Sequence, residues 1–286
     1  MESWQPIGPP LHDILDFAFN RQNPRVIFAA SRDSGVFRTT DGGSSWTKMN
    51  NGLTSAFIRS IEVHPTDSNI VLAGTINAGI FWSGDGGNSW YPTFLPGDST
   101  ILSIAFDELH PDTVYASTNR QGLFRSTTTG ASWERITPDS LGVLAYRVFV
   151  DPQKSNQLTC LFPDSRRIYR SEDYGTSWSR FYQGRSVLAL AENPLDDNTI
   201  YIGTTPADSI RRTRNHGVSW KGLPLSTTIN DIVVNPADTA QVYVASPALG
   251  VLTSTNSGES WFAMNSGLSS IQVIRLKLEP GNPAVL

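Results

Sequence analysis

The sequence predicts an all-β repeat protein, and three observations predict it. A tryptophan-ended octapeptide recurs six times at near-constant spacing, short runs of alternating apolar residues lie between turn signals, and no segment reads as a long amphipathic helix. With 286 residues, 39% hydrophobic and 17% charged, the chain can bury a large core and is too apolar for intrinsic disorder. Its 23 glycines and 18 prolines follow no Gly-X-Y period, so they mark turns. A net charge of -4 with scattered basic residues leaves no electrostatic footprint for nucleic acid. Cys160 is the lone cysteine, which excludes an intramolecular disulfide and a thiolate metal site, and no metal or cofactor is expected. No apolar run reaches the ~20 residues a membrane-spanning helix needs, so no membrane insertion is expected. The opening residues carry no export signal of basic residues followed by an apolar run.

The octapeptides are Thr39 to Trp46, Ser83 to Trp90, Ser126 to Trp133, Ser171 to Trp178, Thr213 to Trp220 and Ser254 to Trp261. Their tryptophans lie 44, 43, 45, 42 and 41 residues apart, the length of one four-stranded propeller blade. The third position is Asp41, Asp85, Thr128, Asp173, Asn215 or Asn256, whose side chain can accept hydrogen bonds from backbone N–H groups of its own turn. Thr128 departs from that pattern, so the third turn is expected to be the least well held. The fifth position is always glycine, suited to positive φ, and Trp46, Trp90, Trp133, Trp178, Trp220 and Trp261 offer apolar faces to a core between blades.

Each period supplies four strands. In the second, 58–63 reads as the inner strand, 64–69 as a polar turn, 70–75 as the second strand, 79–83 as the third and 89–94 as the outer one. Proline recurs in the first turn as Pro65, Pro152, Pro194, Pro236 and Pro280, and slightly later as Pro24 and Pro111.

The termini suggest a seventh repeat. Ser3-Trp4 falls 42 residues before Trp46, Ile271 to Leu278 reads as a seventh inner strand and Ala284 to Leu286 as the start of its second strand. Aligning Pro280 on Pro236 leaves 17 residues missing. The expectation is an all-β, seven-bladed propeller of four-stranded antiparallel blades. Its seventh blade is split between the termini and incomplete, and residues 1–286 form a single domain, a segment of a longer protein with additional domains.

The spacing Ser/Thr-x-Asp-x-Gly-x-Ser/Thr-Trp resembles the Asp-box, or bacterial neuraminidase repeat, across essentially the whole chain. That resemblance implies a structural role for the octapeptides, on the turn between third and fourth strands and away from the ligand face. It also implies an exported protein, extracellular or in the cell envelope. The chain is similar to sortilin-type and photosystem II assembly factor-type propellers, which bind peptides or proteins, and to xyloglucanase-type propellers.

Function is therefore sought on the opposite face, where second-to-third-strand loops carry Arg32, Asp33, Asn77, Arg120, Arg166 and Asp208 as ligand-binding candidates. Five of its six loops are polar, while Pro247-Ala-Leu249 is apolar. The arginines at 166, 167, 170, 211, 212 and 214 read as ion-pairing residues on blade surfaces. The sequence reads as a non-catalytic interaction module for a protein, peptide or polysaccharide. The alternative is a glycoside hydrolase, xyloglucanase- or sialidase-like, in which Asp33 is the candidate catalytic residue because Arg32-Asp33-Ser34-Gly35 is similar to a xyloglucanase loop. Such chemistry needs a second carboxylate across the sugar, ~6.5–9.5 Å away for inversion, and only Asp208 lies on the same face.

Overall fold

The structure, a computed structural model, describes residues 3–9, 12–93, 100–162, 166–205 and 209–282. It is a β-propeller of six four-stranded antiparallel blades, each with its strands in chain order from the inside out. Blade one comprises Ile14–Phe19, Ile27–Ser31, Gly35–Thr39 and Thr47–Lys48. Blade two follows with Ile58–Val63, Val71–Thr75, Ile80–Ser83 and Tyr91–Thr93, and blade three with Ile101–Phe106, Val114–Thr118, Leu123–Ser126 and Glu134–Arg135. Blade four comprises Arg147–Asp151, Lys154–Phe162, Arg167–Ser171 and Ser179–Gln183. Val187–Asn193, Asp196–Thr204, Ile210–Thr213 and Lys221–Gly222 make blade five, and Asp231–Val234, Val242–Ser246, Gly250–Ser254 and Phe262–Ala263 make blade six. The chain forms two compact units, one of residues 7–162 with 169–179, the other of 180–282 with 3–6 and 166–168.

Among the described residues the expected seventh blade is not formed: the propeller has six. Residues 271–278 enter no strand, and beyond them stands one isolated bridge between Glu279 and Asn282. A strand is held by the ladder it shares with a neighbour, and this stretch finds side chains instead: the Leu276 N–H donates to Asp231 Oδ2 at 3.2 Å and the Asn230 amide to the Val273 carbonyl at 3.3 Å. Trp4 docks on the end of blade six, its backbone N–H on the Ser266 carbonyl and its indole on the Met264 carbonyl. Residues 284–286 lie outside the described residues.

Within each unit the apolar cores lie between successive blades. One joins Phe28, Val36 and Met49 of blade one to Ile58, Ile61, Phe81 and Trp90 of blade two, and another joins Tyr201 and Leu223 of blade five to Ile232, Val244 and Trp261 of the next. The middle strands are buried along their length, which explains their near-continuous apolar runs. Cys160 lies in such a core, where burial pushes its thiol pKa up and leaves it a small hydrophobe.

The octapeptides close the turn between third and outer strands. In the first, the Thr39 hydroxyl donates to Asp41 Oδ1 at 2.7 Å and accepts from the Gly43 N–H at 3.0 Å, while Asp41 accepts the Ser45 N–H at 2.9 Å and the Ser45 hydroxyl at 2.6 Å. Asn215 and Asn256 accept the equivalent N–H groups and turn their amide N–H toward Ser219 and Ser260. Thr128 accepts the Ser132 N–H through its hydroxyl, at 3.0 Å, but has no second oxygen to offer. The residue before the fifth-position glycine also takes positive φ, at Thr129, Tyr174, His216 and Ser257, conformations that cost a non-glycine residue free energy.

These hydrogen bonds give an acid-stability expectation. The Ser45 and Thr39 hydroxyls and the Ser45 N–H pull the Asp41 pKa from 3.8 to about 2. A carboxylate depressed in the folded state stabilises the fold above its unfolded pKa, and that stabilisation is lost as pH falls through the folded value. The Asp41→Asn variant keeps the Oδ1 acceptor but cannot titrate, so its thermal midpoint is expected to fall less steeply between about pH 4 and pH 2. Identical slopes for variant and parent would contradict this role.

Candidate functional site

In blades one, two, three and six the loop between second and third strands is built by a hydroxyl at the end of the second strand. Ser31, Thr75, Thr118 and Ser246 are fully buried and turn their oxygens onto the loop that follows. Ser31 Oγ accepts the Ser34 N–H at 3.2 Å, Thr75 Oγ1 the Ala78 N–H at 2.9 Å, Thr118 Oγ1 the Gln121 N–H at 2.9 Å and Ser246 Oγ the Leu249 N–H at 3.2 Å. This local capture by Ser or Thr fixes each loop before any ligand arrives.

In the unit holding residues 7–162, these loops are stitched to the loops that enter each inner strand. The Arg32 N–H donates to the Asp13 carbonyl, Gly35 to Ala56, Ile76 to Phe57, Asn119 to Thr100 and Gly122 to Val143, at 2.7–3.1 Å. Side chains extend the chain of contacts: the Thr100 hydroxyl donates to Asn77 Oδ1 at 3.4 Å, and the Thr100 N–H to Asn119 Oδ1 at 2.9 Å. The structure thus brings Arg32, Asp33, Asn77 and Arg120 onto one hydrogen-bonded wall. Arg166 belongs to the other unit, at φ +53°, with its carbonyl accepting the Gly184 N–H. Asp208 lies outside the described residues.

The candidates differ in how they are held. Arg32 pairs with Asp13, Nε to Oδ2 at 2.5 Å, with both side chains exposed. Asp33 is 63% exposed, and its Oδ1 accepts the Ser34 hydroxyl at 2.9 Å and the Ser31 hydroxyl at 3.0 Å. Those bonds, Ser34 first, lower its pKa below the ordinary carboxylate value. His12 stands 4.0 Å from the same oxygen and its ring lies against Phe37, 4.6 Å between centroids. Asn77 adopts φ +70°, which asparagine tolerates better than most residues, and Arg120 is exposed.

The second-to-third-strand loops alone give an incomplete wall. Phe57 and Val143, 52% and 55% exposed, stand on the loops entering the inner strands of blades two and four. Phe57 is bonded through its carbonyl to the Asn77 loop, and its neighbour Ala56 to the Asp33 loop, while Val143 is bonded to the Arg120 loop. The sequence signal was an aromatic directly before an inner strand, outside the strand alternation. The combined surface offers apolar anchors, amide groups and guanidinium donors, and a ligand carrying backbone amides and mixed side chains is one it can satisfy. Among the described residues no cluster of three histidine, cysteine or acidic side chains is placed to hold a metal ion.

No protein-family model matches the chain, and no curated protein matches it. Solved structures do match in fold. The chain is similar to a GH74 enzyme of Niastella koreensis, with a TM-score of 0.74 and 18% identity over 89% of this chain and 47% of that one. Its similarity to an ancestral GH74 enzyme has a TM-score of 0.75 and 21% identity over 88% of this chain and 38% of the other. With YCF48, in a structure described as bound to D1 peptide, the TM-score is 0.69 and identity 19% over 96% of this chain and 87% of the other. YCF48 from Cyanidioschyzon merolae gives 0.71 and 14% over 92% and 88%. The chain is a β-propeller of the type these GH74 and YCF48 structures share. It spans less than half the length of the two GH74 chains.

Proposed function

We propose that the chain is a non-catalytic binding module that holds a peptide or an exposed segment of a protein on the wall of residues 31–35, 56–57, 75–79, 100, 118–122 and 143. The observation that carries this reading is the exposure of Phe57 and Val143 among hydrogen-bonded polar loops. Apolar anchors interspersed with Arg32, Asn77 and Arg120 suit side chains and backbone amides in alternation, and loops fixed in advance reduce the ordering cost of binding. A glycan site is built on stacked aromatics, and among the described residues of these stitched loops Phe57 is the one exposed aromatic. The likeness to YCF48, whose structure with D1 peptide spans almost the same length, supports the same reading.

The second reading, a glycoside hydrolase acting through Asp33, draws on the likeness to GH74 enzymes. The Asp33 carboxylate is committed to Ser31 and Ser34, and the hydrogen bonds that lower its pKa also weaken it as a base. The deciding experiment is reducing-sugar release from xyloglucan, other β-glucans and sialosides by the purified chain. The expected result is no release above that of Asp33→Ala. Release from any of these substrates that disappears in Asp33→Ala would overturn the non-catalytic reading and assign Asp33 to catalysis.

A further inference from the structure

In each blade the side chain that closes the inner strand accepts backbone N–H groups of the first turn, two or three residues further on. Asn20 Oδ1 takes the Gln22 and Asn23 N–H groups at 2.9 and 3.2 Å, and Asp107 Oδ1 those of Leu109 and His110 at 2.9 and 3.1 Å. Asp151 Oδ1 takes those of Gln153 and Lys154 at 2.8 and 3.1 Å, while Asn193 Oδ1 accepts from Leu195 and Asn235 Oδ1 from Ala237, both at 2.9 Å. Asn and Asp are suited to this local capture. Blade two achieves it with a histidine. His64 Nδ1 accepts the Thr66 N–H at 3.3 Å and the Asp67 N–H at 2.9 Å, and the Thr66 hydroxyl stands 3.5 Å from the same nitrogen.

The change of residue type changes what the turn responds to. A backbone N–H can only donate, so Nδ1 carries no proton and the neutral ring holds its hydrogen on Nε2. His64 is 6% exposed, with its ring edge-on to Phe106 of blade three, 5.1 Å between centroids. Nε2 is buried too and makes no hydrogen bond among the described residues. The charged groups acting on the ring are two carboxylates, Asp67 of the same turn and Asp112 of the first turn of blade three, and the Pro111 carbonyl faces it as well. Burial outweighs all three and holds the His64 pKa below the ordinary histidine value. An asparagine in this place keeps its acceptor oxygen throughout the range in which histidine titrates.

We propose that His64 is a proton-operated latch on the first turn of blade two. Neutral, it holds residues 65–69 through Nδ1. A proton on Nδ1 removes the acceptor, sets a donor against the Thr66 and Asp67 N–H groups and leaves a buried cation against Phe106. The imidazolium then turns out toward the exposed carboxylates of Asp67 and Asp112, and the turn opens. Two neighbours are released with it. The Thr66 carbonyl accepts the Gln22 side-chain amide of blade one, and the Asn69 carbonyl accepts the Gly86 N–H of the blade-two octapeptide at 2.9 Å. A histidine whose folded pKa is depressed stabilises the fold above its unfolded value of about 6.5, and that stabilisation is lost as pH falls below it. Acidification through the histidine range therefore loosens blade two, while the turn capped by Asn20 stays closed.

The test is amide hydrogen exchange of the full chain at about pH 7.5 and about pH 5, on either side of the ordinary histidine value. Protection at Thr66 and Asp67 is read relative to Gln22 and Asn23, whose cap Asn20 does not titrate, so that the pH dependence of the exchange chemistry cancels. Relative protection is expected to fall about fivefold to tenfold on acidification, the loss of about one hydrogen bond per amide. It is expected to stay constant in His64→Asn, which gives blade two the cap of blades one, five and six. Unchanged relative protection in the parent would overturn the proposal, and so would an equal fall in parent and His64→Asn. Nitrogen NMR of the His64 ring supplies a readout that needs no variant. The expected state at neutral pH is an unprotonated Nδ1, and a proton found there would overturn the proposal as well.

Discussion

Replacing Trp90 by alanine is expected to cost about 3–5 kcal/mol of unfolding free energy, the range for removing a fully buried large aromatic. Trp90 is 2% exposed, its ring belongs to the core between blades one and two, and its indole donates to the Met49 carbonyl at 2.8 Å. The deletion therefore opens a cavity and leaves a buried carbonyl without its partner. Trp46 holds the same place in the repeat but is only partly buried and donates to Ile7. Urea denaturation of Trp46→Ala is expected to show a clearly smaller loss. Equal losses would mean that the octapeptide tryptophans stabilise the fold through something other than the core between blades.

The second large effect is expected at Gly52, where the Cβ of an alanine would stand 2.2 Å from the Trp90 carbonyl oxygen, a backbone atom, with φ at +90°. Both the strained backbone and the clash must be relieved by moving the chain that carries Trp90, at a cost of about 2–3 kcal/mol or more. Gly42 separates the two causes, since its φ of +73° is just as unfavourable to alanine and nothing stands within 4 Å of the added carbon. Gly42→Ala is expected to lose about 1 kcal/mol, from backbone conformation alone. Thermal midpoints of the two variants check this, and equal shifts would show that the contact at Gly52 relaxes freely.

Blade architecture was legible because the octapeptide is a local device. Its hydroxyl, carboxamide or carboxylate, glycine and tryptophan each act within the turn or on the adjacent blade, so the spacing of Trp46 through Trp261 reports blades directly. In blade two the expected second and third strands began at 70 and 79, and the structure begins them at Val71 and Ile80. The blade count was not legible in the same way. Trp4 and residues 271–278 carry the periodicity, but periodicity records which side chains face a core, whereas a strand needs a hydrogen-bonded neighbour, and these residues bond to side chains of Asp231 and Asn230. The loop face was read in part. Arg32, Asp33, Asn77 and Arg120 were visible as polar loop residues. Phe57 and Val143 were not, because their exposure depends on how one blade's loop is stitched to the entry of the next. The buried hydroxyls of Ser31, Thr75 and Thr118 were in the sequence as a Ser or Thr that closes the second strand of every blade but the fourth, whose strand ends on Phe162. Their part in shaping the wall became clear only from their hydrogen bonds.

The loop wall as a peptide-binding surface is tested most directly by titrating a peptide selected from a random library on the purified chain. The titration is run against the parent, Phe57→Ser, Arg120→Ala and, from the octapeptide turns, Asn88→Ala. The expected result is weakening of about tenfold or more in Phe57→Ser, from loss of an exposed aromatic anchor that the bound peptide covers, a smaller loss in Arg120→Ala and none in Asn88→Ala. Selected peptides that bind equally to the parent, Phe57→Ser and Arg120→Ala would contradict the assignment of function to this wall.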